Sequence, residues 1–115
     1  MSESGLANNR RLFTRVSYTQ TANIRYGGGV WSCKMIDLSL NGAMFEAPPG
    51  LSLEAAAQFT IELPGVADAP LLAQAEVVHV GGTQVGCRFN EIDTHSMDGL
   101  RELMLALSSE EDLPQ

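Results

Sequence analysis

Hydrophobic and polar residues alternate along most of this chain, which is the pattern of β-strands that bury one face. Strand-like stretches cover residues 16–25, 30–37, 43–46, 59–63, 71–80 and 84–89, and the alternation is clearest in 16–25 and 59–63. In the first stretch polar Gln20 interrupts an otherwise apolar side, which consists of Val16, Tyr18, Ala22 and Ile24. The succession of stretches predicts an antiparallel sheet closed into a barrel, because closure leaves no exposed edge.

Clusters of glycine and proline separate these stretches. They are Gly27-Gly28-Gly29, Asn41-Gly42, Pro48-Pro49-Gly50, Pro64-Gly65 and Gly81-Gly82-Thr83. The glycine triplet is typical of a hairpin loop. Asn41-Gly42 predicts a tight turn, because both residues tolerate a positive φ.

The end of the chain changes to the period of an amphipathic helix. The residues at helical spacing are Met97, Leu100, Leu103, Met104 and Leu107. Asp93, Thr94 or Ser96 could cap the N-terminus. Gly99 costs about 1 kcal/mol relative to Ala inside a helix. We expect one helix that covers an open mouth or a flank of the barrel.

The composition is that of one folded domain: 115 residues, 44% hydrophobic and 18% charged. Residues 1–9 are polar and predict a flexible N-terminal arm, and residues 108–115 predict an acidic C-terminal tail. The arm has no apolar core of a secretory signal, and no apolar run approaches the roughly 20 residues of a membrane helix. We therefore expect a cytoplasmic protein without membrane insertion.

The charge is strongly acidic, with a formal net charge of −7 at pH 7. This balance disfavours general binding to nucleic acid or to anionic membranes. Three of the seven basic residues nevertheless lie within positions 10–15, as Arg10, Arg11 and Arg15. The cluster is either a solvated group that pairs with the protein's own carboxylates, or a grip for a small anion such as phosphate.

The sequence gives little support to an enzyme. Cys33 and Cys87 lie in strand-like stretches and predict small buried thiols rather than a disulfide or redox pair. A hydrolase built on Ser39, Asp37 and a histidine would lack the nucleophile elbow, and no metal-ligand spacing occurs. We expect no catalysis, no metal and no cofactor.

A second polar motif stands at Asp37-Leu38-Ser39-Leu40-Asn41-Gly42. An extended backbone would place Asp37 and Ser39 on one face, just before the chain turns at Gly42. A carboxylate can accept from the N1–H and N2–H₂ groups of guanine, and a hydroxyl can bind phosphate or a base edge. The alternative is a turn in which both side chains satisfy local backbone groups.

The two motifs together resemble the signature of PilZ domains, which are receptors for the bacterial second messenger cyclic di-GMP. That signature is Arg-x-x-x-Arg in an N-terminal arm, followed by Asp/Asn-x-Ser-x-x-Gly. It is complete here at Arg11, Arg15, Asp37, Ser39 and Gly42. The segment 85–89, with the acidic stretch and helix after it, also resembles the family's last strand. The resemblance covers residues 10–107.

The resemblance implies an all-β, split-barrel-like fold of six antiparallel strands plus a C-terminal α-helix. Arg11 and Arg15 would grip phosphates and guanine edges of cyclic di-GMP, and Asp37 and Ser39 would contact base and phosphate. Gly42 would keep the strand close to the ligand. The further ligand-binding candidates are Arg10, whose place in the family accompanies two intercalated ligand molecules, and His79, whose ring could stack on guanine.

The implied function is that of a non-enzymatic cyclic di-GMP receptor. Its arm would rearrange on binding and signal to an unidentified partner protein in the control of motility, biofilm or exopolysaccharide. The alternative is an interaction module of the same fold that serves motility or pilus assembly without binding nucleotide. A monomer is expected in either case.

Overall fold

The computed structural model describes residues 15–64 and 70–111. It contains seven strands and one helix within these ranges. They are β1 (Val16–Ser17), β2 (Thr21–Tyr26), β3 (Gly29–Leu38), β4 (Gly42–Glu46), β5 (Gln58–Leu63), β6 (Leu71–Gly81), β7 (Gln84–Ile92) and α1 (Thr94–Glu111).

Six of the strands form a closed antiparallel barrel. Their order is β3-β2-β5-β6-β7-β4, and β4 pairs with β3 to close the ring. The two-residue β1 pairs with the end of β3, beyond the part of β3 that pairs with β2. Each long strand therefore has a hydrogen-bonded neighbour on both sides, which removes the free edges of an open sheet. The predicted six-stranded barrel with a C-terminal helix is confirmed.

The barrel interior consists of the apolar side of each strand. The most deeply buried large side chains are Phe45, Ile24, Met35, Leu38, Ile61, Leu100 and Met104. Phe45 and Phe59 meet edge to face with their ring centroids 5.8 Å apart, the geometry that aromatic quadrupoles favour. Trp31 is half-buried and packs against this core. Cys33 and Cys87 are buried free thiols, as predicted.

The first predicted strand is divided into β1 and β2. The backbone between them stays attached to β3, because the Tyr18 amide donates to the Ile36 carbonyl at 3.1 Å and the Met35 amide donates to the Gln20 carbonyl at 3.0 Å. Tyr18 is buried and Gln20 is exposed. The division occurs at the polar residue that interrupts the apolar side, since a regular strand would turn Gln20 into the core.

The β2–β3 connection confirms the predicted hairpin. Gly27 and Gly28 occupy its two central positions with φ of +59° and +86°. Two consecutive positive φ values match the right-handed twist of the flanking strands, and glycine adopts them without steric cost.

Helix α1 begins with a cap by Asp93, whose Oδ1 accepts from the Ser96 amide at 2.7 Å. The Ser96 hydroxyl in turn accepts from the Leu72 amide of β6 at 3.2 Å. Gly99 has a packing role, because a Cβ there would lie 2.5 Å from Leu71 Cδ2. The small residue therefore lets the helix approach the barrel closely.

The apolar face of α1 covers one part of the barrel, with Leu100, Leu103 and Met104 buried. The helix extends to Glu111, four residues into the segment 108–115 that was predicted as a tail. The predicted arm at residues 1–9 and the last residues, 112–115, lie outside the described ranges. Within those ranges, no helix is long and apolar enough to cross a membrane.

Candidate functional site

A β-bulge in β3 determines where Asp37 points. Met35 pairs with Phe45 and Asp37 pairs with Met44, so Ile36 is an extra residue opposite β4. Met35 faces the core, and in a regular strand Asp37 would share its side. The bulge shifts the alternation by one residue, so that Leu38 becomes buried and Asp37 lies on the outer surface.

Arg15 meets Asp37 on this outer surface. Its Nη1 donates to Asp37 Oδ1 at 2.8 Å, across 22 positions of sequence. The contact follows from the register, because Ser17 pairs with Asp37 and Arg15 is the next outward residue on the same segment. The side chains are 44% and 22% exposed, so both remain accessible to a ligand. The structure thus joins the two sequence motifs at one ion pair.

Ser39 organises the turn between β3 and β4. Its Oγ accepts from the amides of Asn41 and Gly42 at 3.1 and 3.2 Å, and the Ser39 amide donates to the Gly42 carbonyl at 2.9 Å. The residue is only 3% exposed. Asp37 and Ser39 therefore differ in environment: the carboxylate lies on the outer surface, whereas the hydroxyl is engaged within the turn.

Gly42 serves this turn in a different way from the one predicted. The tight turn is present, but neither Asn41 nor Gly42 has a positive φ. A Cβ on Gly42 would overlap the carbonyl oxygen of Cys87 and lie 3.1 Å from Arg88 Cα in β7. The Phe89 amide also donates to the Asn41 carbonyl at 2.7 Å. Glycine is required here because β4 and β7 approach each other closely.

Cys87 is buried on the interior side of β7, close enough to Arg15 and Asp37 for their charges to act on its thiol. Burial raises the pKa of its thiol to about 12, although a hydrogen bond from the Ala43 backbone and the charge of Arg15 act in the opposite direction. Burial likewise raises the pKa of Cys33 to about 11. Both thiols are protonated at neutral pH and are poor nucleophiles.

His79 lies on the same outer surface, several strands from Asp37. Successive partners across the sheet are Asp37 in β3, Met44 in β4, Gly86 in β7 and His79 in β6. Directly paired residues share a face, and neighbouring strands are about 4.8 Å apart. Asp37 and His79 are therefore separated by three strand spacings, or about 14 Å along the surface. The imidazole is exposed.

The other arginines on the barrel strands have carboxylate partners. Arg25 reaches Glu62 at 3.4 Å, and Arg88 reaches Glu76 at 3.0 Å, with both guanidiniums largely exposed. Both are charges on the outer faces of their strands. Arg10 and Arg11 lie outside the described ranges.

A metal site does not form in the described part of the chain. No three side chains of His, Cys, Asp and Glu come together there in a way that could hold an ion. An outer groove of about 530 Å³ runs between residues 17–20, Pro64 and the helix residues Leu103 and Leu107. Ser17, which pairs with Asp37, lines this groove, but neither Arg15 nor Asp37 does.

Fold and site together define a class of protein: a six-stranded antiparallel barrel with a C-terminal helix and an arginine–carboxylate pair on its outer face. The sequence matches the family model of the PilZ domain over residues 9–106. The chain therefore belongs to the PilZ domain family, which confirms the resemblance carried by its two motifs. No curated protein matches it.

Solved structures with the same fold include three informative neighbours. The PilZ domain of YcgR from Escherichia coli, determined with c-di-GMP, has a TM-score of 0.67 at 18% identity, over 89% of this chain and 94% of that one. The PilZ domain of CeSA from a cellulose-synthesizing bacterium has a TM-score of 0.66 at 16% identity, over 82% and 97%.

The third neighbour is the inhibitor of motility of Bacillus subtilis, with a TM-score of 0.74 at 13% identity. It covers 86% of this chain, which spans only 51% of the longer protein. At these identities the likeness is one of fold. What the neighbours bind or regulate is a property of those proteins.

Sequence reasoning missed the part that the two residues between Asp37 and His79 play in this surface. Met44 and Gly86 belong to the outer faces of β4 and β7, and neither is part of the arginine motif or the aspartate motif. Their position depends on the bulges at Ile36 and at Val78, where the register of β3 and of β6 shifts. A single sequence carries no clear signal for such shifts, because Ile and Val fit equally well in a regular strand.

Proposed function

We propose that this protein is a non-enzymatic, cytoplasmic receptor for cyclic di-GMP. The ligand is held on the outer barrel surface by Arg10, Arg11 and Arg15, which follow the predicted arm, together with Asp37 and His79. Ser39 and Gly42 shape the turn beside it. Binding changes the conformation of the arm, and an unidentified partner protein recognises the altered surface. Membership of the PilZ family supports this proposal.

The single observation that carries it is the contact between Arg15 and Asp37. Guanine presents acceptors at O6 and N7 and donors at N1 and N2, so a guanidinium and a carboxylate side by side complement its edges. The guanidinium also suits phosphate, since its planar fork donates two parallel hydrogen bonds. The pair itself is formally neutral, so on a protein of net charge −7 the positive charge for an anionic ligand would come from Arg10 and Arg11.

Ser39 has a more restricted part in this proposal. Its hydroxyl already accepts two backbone hydrogen bonds and donates one, to the Gly42 carbonyl at 3.4 Å. Direct contact with a phosphate would require at least one of these to be exchanged. We therefore assign Ser39 chiefly to fixing the turn that follows Asp37.

Base recognition is needed as well as charge. Fixing the backbone of residues 10–15 would cost roughly 1–2 kcal/mol for each residue. A charge-assisted hydrogen bond contributes about 1.5–3 kcal/mol, so three arginines only about offset this cost. Stacking adds about 1–3 kcal/mol for each base. Val16, which is buried in β1, already attaches the base of the arm to the barrel, and we infer that Leu12 and Phe13 add to this anchor.

Titration calorimetry with cyclic di-GMP tests the proposal. We expect binding with two ligand molecules for each protein, weakened by added salt because charge is neutralised. Arg15→Ala should reduce the affinity at least about tenfold, the effect of losing one charge-assisted hydrogen bond. Arg25→Ala is the matched control, because it breaks an exposed arginine–carboxylate pair elsewhere on the barrel.

Two results would overturn the proposal. If folded wild-type protein gives no heat at high micromolar ligand, the alternative holds: the protein is an interaction module that does not bind nucleotide. Equal loss of affinity in Arg15→Ala and Arg25→Ala would show that the Arg15–Asp37 pair has no special part in binding.

A further inference from the structure

Met44 and Gly86 occupy the outer surface between Asp37 and His79. Asp37 pairs with Met44, Met44 pairs with Gly86, and Gly86 pairs with His79. Because paired residues project from the same face, these four positions form one continuous row across β3, β4, β7 and β6. We call Met44, Gly86 and His79 the floor of this row.

Gly86 is buried although it belongs to the outer face. The reason is that its two neighbours lean over it. Met44 Cε lies 3.9 Å, and His79 Cβ lies 3.6 Å, from the position that a Cβ on Gly86 would take. The Met44 methyl group and the His79 Cβ therefore flank a residue without a side chain, which makes a shallow surface with no projecting group at its centre.

The chemistry of this surface suits the face of a planar base. A methionine side chain is polarizable and adapts its shape, and sulfur makes favourable contacts with aromatic rings. The imidazole of His79 extends along β6, with Nε2 3.2 Å from the position of a Cβ on Gly81. Asp37 stands directly opposite Met44 at the end of the floor, at a Cβ separation of about 5 Å.

We propose that Met44 is a ligand-binding residue on which one guanine of the ligand lies. The base face contacts the Met44 thioether above Gly86, and its N1–H and N2–H₂ edge points to Asp37. His79 borders the opposite side of the base. This inference rests on the proposed function, and it adds a role for β4 and β7 that the arginine and aspartate motifs do not include.

The test follows the methionine methyl groups by NMR during titration with cyclic di-GMP. The protein has five methionines, and Met44→Leu identifies the signal of Met44 by its disappearance. A base stacked on the thioether should move that signal upfield through its ring current. Met35 and Met104 are buried in the core and serve as internal references whose signals should hardly move.

Variants add an affinity readout. Met44→Ala should weaken binding about tenfold, the lower part of the range for loss of one stacking surface. Met44→Leu, which keeps apolar volume, should retain most of the affinity. Leu72→Ala is the matched control. It also removes a partly exposed apolar side chain, but from the start of β6, at the opposite end of that strand from His79.

The outcomes separate this inference from the proposed function. Heat of binding with an unmoved Met44 signal, or with Met44→Ala as tight as wild type, would overturn the role of Met44 and leave the receptor function intact. Absence of any heat with wild-type protein would overturn both. An upfield shift together with selective loss in Met44→Ala would establish the floor.

Discussion

Substitution of Gly42 by alanine should destabilise this protein strongly, even without any ligand. The new Cβ would overlap the carbonyl oxygen of Cys87, which belongs to the backbone of β7. Backbone cannot rotate away as the end of a side chain can. The two strands would have to separate, and the turn after Asp37 would move with β4.

The size of the effect follows from the hydrogen bonds at this point. Non-bonded atoms rest about 3.5–4 Å apart, so relief of the overlap needs a displacement on the order of 1 Å. The bond from the Phe89 amide to the Asn41 carbonyl would lengthen from 2.7 Å to about 3.7 Å, which is no longer a hydrogen bond. Loss of this bond and strain in its neighbours should cost about 2–4 kcal/mol.

Thermal and urea unfolding of the ligand-free protein measure this cost. For a domain of this size we expect the Tm of Gly42→Ala to fall by roughly 10–20 °C. Gly86→Ala is the matched control in the adjacent strand, because its Cβ would have ordinary contacts at 3.6–3.9 Å. That variant should be unchanged or more stable by about 0.4–1 kcal/mol, since alanine restricts the unfolded chain.

A Gly42→Ala protein as stable as wild type would refute this reasoning. It would mean that β4 and β7 can separate freely, and that the glycine is needed only where the ligand approaches. Equal destabilisation by Gly86→Ala would also refute it, since the cost would then reflect glycine content rather than the specific overlap.

Three further predictions concern the core and the helix. Burial raises the pKa of Cys87 from 9.0 to about 12, so its contribution to stability is full below pH 9 and is lost as the pH rises toward 12. Over this range, urea unfolding in reducing buffer should show that the free energy of unfolding falls by about 1.4 kcal/mol for each pH unit because of this thiol. Cys87→Ala should lack this decrease, and an equal dependence on pH in the two proteins would contradict the prediction. Gly99→Ala should lower the Tm despite a gain of about 1 kcal/mol in helix propensity, because Leu71 is packed in the core and its overlap with the new Cβ costs about 1–3 kcal/mol; a Tm equal to or above that of wild type would exclude the close approach. Asp93→Ala should lose about 1 kcal/mol in urea unfolding through loss of its bond to the Ser96 amide, and an unchanged midpoint would show that another group caps the helix.

The strands could be predicted because their residues obey local rules. Alternation in segments such as 59–63 determines which side chains face the core, and Gly27 and Gly28 determine a turn. Neither depends on the rest of the chain. The division at Gln20 was visible as an interruption, but its form depends on hydrogen bonds to β3. Closure of the barrel is a relation among all six strands, and the sequence indicates it only through their number and spacing.

The site could be predicted in its members but not in its geometry. Arg15 and Asp37 are 22 residues apart, and their contact depends on a bulge at Ile36 that reverses the alternation of β3. Neither isoleucine nor its neighbours signal that reversal. Met44 and Gly86 could not be found for a related reason: they become neighbours of the site only once the register across three strands is known.

The Asp37-x-Ser39-x-x-Gly42 motif therefore has two physical functions that should be separated. Ser39 and Gly42 are explained by the protein alone, since one fixes the turn through its hydroxyl and the other permits contact between β4 and β7. Asp37 has no such structural duty, because it lies on the outer surface in a partly exposed ion pair, a kind of pair that contributes about 0–1 kcal/mol to stability. Loss of binding in a Ser39 or Gly42 variant would thus be ambiguous. Loss of binding in Asp37 or Arg15 variants whose stability is unchanged would be specific to the ligand. Variants of that pair are therefore the best test of the receptor function.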